Sequence, residues 1–183
     1  MSISITVVTT ANRTLRYKQS DPVHVEEILA SLRRATQLFT NRTLVIVSDT
    51  GTEIFSPSAI ARIEFATEAD LTPYLPPAWG IPARALAPDE IPPAAQIDDT
   101  HVATRIEFFF HGCESLAIWF ERERPSGSAE RAMQITRIFE QAIFPYHLSV
   151  PGIGFMNPAT MTHASIDTPL DEAPTGVWRA SRV

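Results

Sequence analysis

The chain has 183 residues, 44% hydrophobic and 20% charged, a balance that suits a folded globular protein and excludes wholesale disorder. Its net charge is −6 and no run of Lys or Arg stands out, so nucleic acid, whose phosphates need clustered cations, is excluded as a partner. No stretch approaches the roughly 18 consecutive apolar residues of a membrane-spanning helix.

The first residues, Met1 to Thr6, lack a basic region followed by a long apolar one, so they are not read as a secretory leader. Ile3, Ile5 and Val7 alternate with Ser4 and Thr6, the period of a half-buried strand. Asn12-Arg13 turns the chain into a return strand, where Leu15 and Tyr17 alternate with Arg16 and Lys18. Asp21-Pro22 is a helix start, a side-chain cap followed by a residue whose φ is already helical. Val25, Ile28, Leu29, Leu32, Ala35, Thr36 and Phe39 follow at helical spacing. Thr43 to Ser48 reads as a strand too apolar to be wet on one face, and Asp49-Thr50-Gly51 turns it back into Glu53-Ile54-Phe55. Pro57 leads into a strand ending at Phe65.

The segment from Ala66 to Thr100 holds seven of the fifteen prolines and reads as an extended strap anchored by Tyr74, Leu75, Trp79 and Ile81. Beyond it the order of elements returns. Ile106 to Phe110 is a strand, His111 to Glu114 a turn and Leu116 to Phe120 its return strand. A helix is predicted from Ser128 through Ile143, stopped by Pro145. A short hairpin at Leu148 to Phe155 and a strand from Pro158 to Ile166 follow. The C-terminal tail, with Pro169, Pro174 and Trp178, reads as a second strap.

Ile5 to Tyr17 aligns with Ile106 to Ile118, and Pro57 to Phe65 with Pro158 to Ile166, at an offset of 101 residues. These alignments predict an α+β protein of two tandem ββαββ-like repeats with antiparallel sheets. The halves would be related by a pseudo-two-fold axis, with one main helix in each. Residues 1–82 form the first half, 83–100 a Pro-rich connector and 101–183 the second half.

Two motifs raise the question of chemistry. Ile46-Val47-Ser48-Asp49-Thr50-Gly51-Thr52-Glu53 resembles the active-site signature of aspartic proteases, in which two Asp-Thr-Gly loops share one proton and activate a water. That resemblance covers eight residues and implies a second aspartate. The aligned stretch Ser149 to Gly152 carries no acid, so a homodimer would have to supply it. A hairpin turn accounts for Asp49 and Gly51 without catalysis, and that reading is taken. His111-Gly112-Cys113-Glu114 combines imidazole, thiol and carboxylate, but adjacent residues chelate poorly, and no metal or cofactor is expected. Cys113, the lone cysteine, forms no internal disulfide and fits a cytoplasmic setting.

The runs Phe108 to Phe110 and Ala117 to Phe120 are apolar on both faces, more than one core needs. The functional expectation is therefore a non-enzymatic protein-binding module, of adaptor, inhibitor or chaperone-like type, using an apolar face of the second half. Its partner would be another protein or a second copy. The candidate binding residues are Phe109, Trp119, His111, Glu114, Arg62 and His163. The alternative is an enzyme or small-ligand sensor with its site between the halves.

Overall fold

The computed structural model describes residues 1–40, 43–76, 80–98, 100–123, 137–167 and 180. The chain opens with strands β1 (Ile3–Thr9) and β2 (Thr14–Gln19), then helix α1 (Pro22–Ser31), which runs on as a 3-10 turn over Leu32–Gln37. Next come β3 (Leu44–Ser48), β4 (Gly51–Phe55) and β5 (Ile60–Ala66). The proline-rich stretch contributes β6 (Ala83–Ala85) and β7 (Gln96–Ile97). Strands β8 (His101–Phe110), β9 (Leu116–Glu123), β10 (Phe144–His147), β11 (Gly152–Met156) and β12 (Met161–Ile166) complete the order.

Ten strands join in one mixed sheet of path β12-β8-β9-β6-β10-β11-β5-β1-β2, with β7 paired to β8 beside that path. Strands β3 and β4 form a separate two-stranded ribbon. Two ββαββ halves with a helix each are therefore not what the chain builds. One helix is described, and the expected second one fails over its described part: Arg137–Glu140 is a 3-10 turn and Phe144 already begins β10. The rest of that predicted helix, 128–136, lies outside the described residues, as do Trp79 and the C-terminal strap at Pro169, Pro174 and Trp178.

The reason the halves merge is visible in the β10–β11 ribbon. Ile153 and Phe155 point to one face of the sheet, Tyr146 and Met156 to the other, and all four are at most 1% exposed. A ribbon apolar on both faces is satisfied only inside a sheet, and β11 accordingly lies against β5, with Phe65 opposite Ile153 and Ile63 opposite Phe155. Gly154 is required there, because a Cβ would stand 2.2 Å from the Tyr146 ring.

The sheet carries two cores on opposite faces. Over β11, β5 and β1, Ile3, Val7, Ile63, Phe65, Ile153 and Phe155 pack with Val25, Leu29 and Leu32 of the helical segment and with Phe55 of β4. Leu71, Tyr74, Leu75 and Ile81 of the proline-rich stretch seal that core. Over β12, β8, β9, β6 and β10, the second core holds Ile106, Phe108, Phe110, Ile118, Phe144 and Tyr146, joined by Ile138. Register places these residues on the other side: Ile118 faces Ala85, and Tyr146 faces Gly154 rather than Ile153.

Three local features follow from the residues that form them. The Asp21 carboxylate accepts from the backbone N–H groups of Val23 and His24 and caps α1, with Pro22 at its first turn. The 3-10 turn at Pro158–Thr160 is held by Asn157, whose Oδ1 accepts from Ala159 N and whose Nδ2 donates to the carbonyls of Pro57 and Ile60. The proline-rich stretch, expected to be an extended strap throughout, instead supplies an interior strand, β6. Ala83 to Ala85 carry no proline and are small enough to fit between β9 and the parallel β10.

Candidate functional site

Strand alternation distributes the candidate residues over both faces of the sheet. On β8, Arg105, Glu107 and Phe109 point away from the second core, and their cross-strand partners are Trp119 and Ala117 on β9 and Ser165 and His163 on β12. Phe109 and His163 stack in parallel, with ring centroids 4.2 Å apart and planes 3° from parallel. Trp119 is buried and its indole N–H donates to Glu121 Oε2 at 3.1 Å, so it supports this face rather than offering a contact. Arg105 is held between two carboxylates, donating to Glu107 Oε2 at 2.7 Å and to both oxygens of Asp167 at 3.3 Å. Ser115 Oγ donates to Glu107 Oε1 at 2.6 Å. That bond first, and Arg105 second, hold the Glu107 carboxyl below the usual carboxylate range.

Arg62 lies on the other face of the sheet, so it and His163 do not line one groove. Its Nε and the Tyr146 hydroxyl both donate to Glu64 Oε1, at 3.1 and 2.8 Å. Burial, reinforced by the Glu64 charge, pushes the Tyr146 phenol well above its ordinary pKa. Arg62 Nη1 is buried with no hydrogen-bond partner among the described residues. The group reads as a structural ion pair, made through Nε and not Nη1.

His111 and Glu114 sit exposed in the β8–β9 turn, where the His111 N–H donates to Thr160 O at 2.9 Å. Cys113 beside them is half-buried, and burial raises its thiol pKa, which keeps it protonated and unreactive near neutral pH. Among the described residues no group of three His, Cys, Asp or Glu side chains could hold a metal ion. Asp49 is exposed at the tip of the β3–β4 ribbon, where Ser48 Oγ bonds Thr50 Oγ1 and donates to Gly51 O. An open depression of about 640 Å³ lies near Met1, Ser20, Glu68 and Pro151, and none of the candidates lines it.

Three exposed aliphatics lie together on a surface the sequence reading did not select. Along β3, Leu44 and Ile46 pack inward while Val45 and Val47 are 52% and 75% exposed; across the ribbon, Ile54 is 70% exposed. Register puts Val45 directly opposite Ile54 and Val47 opposite Thr52, so the three aliphatics form one patch. Thr43 to Ser48 is thus a strand open to solvent on one face, contrary to the expectation of burial on both. The inward face is tied down: Tyr17 of β2 donates its hydroxyl to Glu53. The sequence carries no signal for the patch, because the inward Leu44 and Ile46 and the outward Val45 and Val47 are all apolar.

No known protein family, curated protein or solved structure matches this chain. No described helix is long and apolar enough to cross a membrane.

Proposed function

We infer that the protein is a protein-binding module and that its contact surface is the outward face of the β3–β4 ribbon. The observation that carries this reading is the patch of Val45, Val47 and Ile54 on a ribbon that no third strand extends among the described residues. Contiguous exposed aliphatics mark interaction surfaces. Burying each of these side chains would contribute about 1.5–3 kcal/mol. The ring pair Phe109–His163 and the fixed Arg105 on the open face of β8 and β12 supply a second, more polar surface of the kind that interfaces favour. A cytoplasmic setting is part of the proposal and rests on the lone, half-buried Cys113.

The test is site-specific photocrosslinking in cells. A photoreactive residue at Val45, Val47 or Ile54 should give a discrete protein adduct, and one at exposed Ser58 should not. The reading fails if the face positions give no adduct, or the same smear as Ser58.

A further inference from the structure

Two three-stranded units of this sheet share one register. Ile5 faces Tyr17 on β2 and Phe65 on β5; Ile106, 101 residues on, faces Ile118 on β9 and Ile166 on β12. The irregularities coincide as well. Thr9 pairs with Ile60, skipping Ala61, and Phe110 pairs with Met161, skipping Thr162. Thr10 N donates to Ala59 O and His111 N to Thr160 O, both at 2.9 Å, each onto the 3-10 turn that starts β5 or β12.

The strands that precede β5 and β12 correspond in the same way. β4 begins at Gly51 with φ 152° and β11 at Gly152 with φ 148°, and each ends in a core residue, Phe55 or Met156, just before its 3-10 turn. Phe55 joins the core under β5, and Met156 the core under β12. The two differ in what they do with their outer edge. β11 pairs with β5 and gives Ile153 and Phe155 to the core on that side. β4 pairs only with β3 among the described residues, and β12 ends the sheet path.

We propose that β4 of one molecule pairs with the outer edge of β12 of a second copy of this chain, as β11 pairs with β5 within the molecule. This rests on the protein-binding reading and names the partner. Carrying the β5–β11 register across sets Ile54 opposite Ala164, Thr52 opposite Ile166 and Glu53 opposite Ser165. Ala164 and Ile166 are half-buried at the rim of the second core, so Ile54, with Val45 beside it, extends that core as Phe155 extends the first. β4 is tethered to β2 at one end of the sheet path and β12 is the other end, so the contact joins molecules head to tail.

Cysteine pairing tests it. In a Cys113→Ser background, separately purified Ile54→Cys and Ala164→Cys proteins are mixed and oxidised, since directly opposed residues have Cβ atoms about 5 Å apart. The expected result is a mixed disulfide dimer, formed at least tenfold faster than the dimer from Ile54→Cys with Ser165→Cys, whose side chains leave the strand on opposite faces. Val47→Lys, exposed and outside both cores, should leave the thermal transition unchanged and weaken wild-type self-association in sedimentation by tenfold or more. Wild-type protein that stays monomeric at the highest soluble concentration overturns the second-copy proposal, as does equal crosslinking in both registers. Val47 photoadducts made with a different protein while the chain stays monomeric overturn it too and leave the binding reading standing. Absence of both adducts and self-association overturns the two together.

Discussion

At the residue scale, single polar side chains tie distant parts of the chain together beside the two cores. Asn157 is 2% exposed and ties the β11–β12 connection to the carbonyls of Pro57 and Ile60. Asn157→Ala should lower unfolding free energy by about 2–3 kcal/mol, since it removes the buried bond to Ile60 O, the bond to Pro57 O and the acceptor for Ala159 N–H. Ser56→Ala, at an exposed hydroxyl that bonds Ser58, should stay within about 0.5 kcal/mol, both measured by urea denaturation. Tyr17 gives a pH signature. Burial and the bond to Glu53 raise its phenol to about 12 in the folded protein from an ordinary value of 10. The folded state therefore holds this proton more tightly, so the stability it contributes is complete below pH 10 and is lost as pH rises toward 12. Urea titrations at pH 9 and 11.5 should show a smaller loss in Tyr17→Phe than in wild type. The Asp21-Pro22 cap was legible from two adjacent residues. The roles of Asn157, and of Gly154 beneath Tyr146, were not, because each depends on a partner that only the folded chain brings near.

At the element scale, alternation made the strands readable but not their surroundings. β1 and β2 were recognisable from Ile3, Ile5 and Val7 and from Leu15 and Tyr17. β3 and β11 are both short and rich in aliphatic or aromatic residues, yet one lies open on a face and the other is buried on both. Composition cannot separate them; pairing does, since β11 has β5 beside it and β3 pairs, among the described residues, with β4 alone. The ribbon should show this asymmetry on mutation. Ile46→Ala, facing the core, should cost about 1–3 kcal/mol, and Val47→Ala, facing out, less than about 0.5 kcal/mol, compared by thermal and urea unfolding. Gly154→Ala should destabilise more than either because a Cβ has no room against the Tyr146 ring.

At the scale of the whole molecule, the sequence suggested two halves with a helix each, and the chain forms one sheet with a core on either face. The 101-residue spacing did carry the common register of β2-β1-β5 and β9-β8-β12, which local alternation is able to encode. The insertion of β10 and β11 beside β5, and of β6 between β9 and β10, is nonlocal and left no periodic trace. The proline content of the connecting stretch pointed away from a central strand, and three proline-free residues sufficed to make one. One asymmetry remains in this molecule: the edge that β11 fills on β5 has its counterpart on β12, where the described sheet path ends. Hydrogen exchange of backbone amides at low and high protein concentration tests that directly. Protection should rise at least tenfold with concentration on alternate amides of β4 and β12, with β2 unchanged. Exchange in β4 and β12 that does not depend on concentration would contradict it.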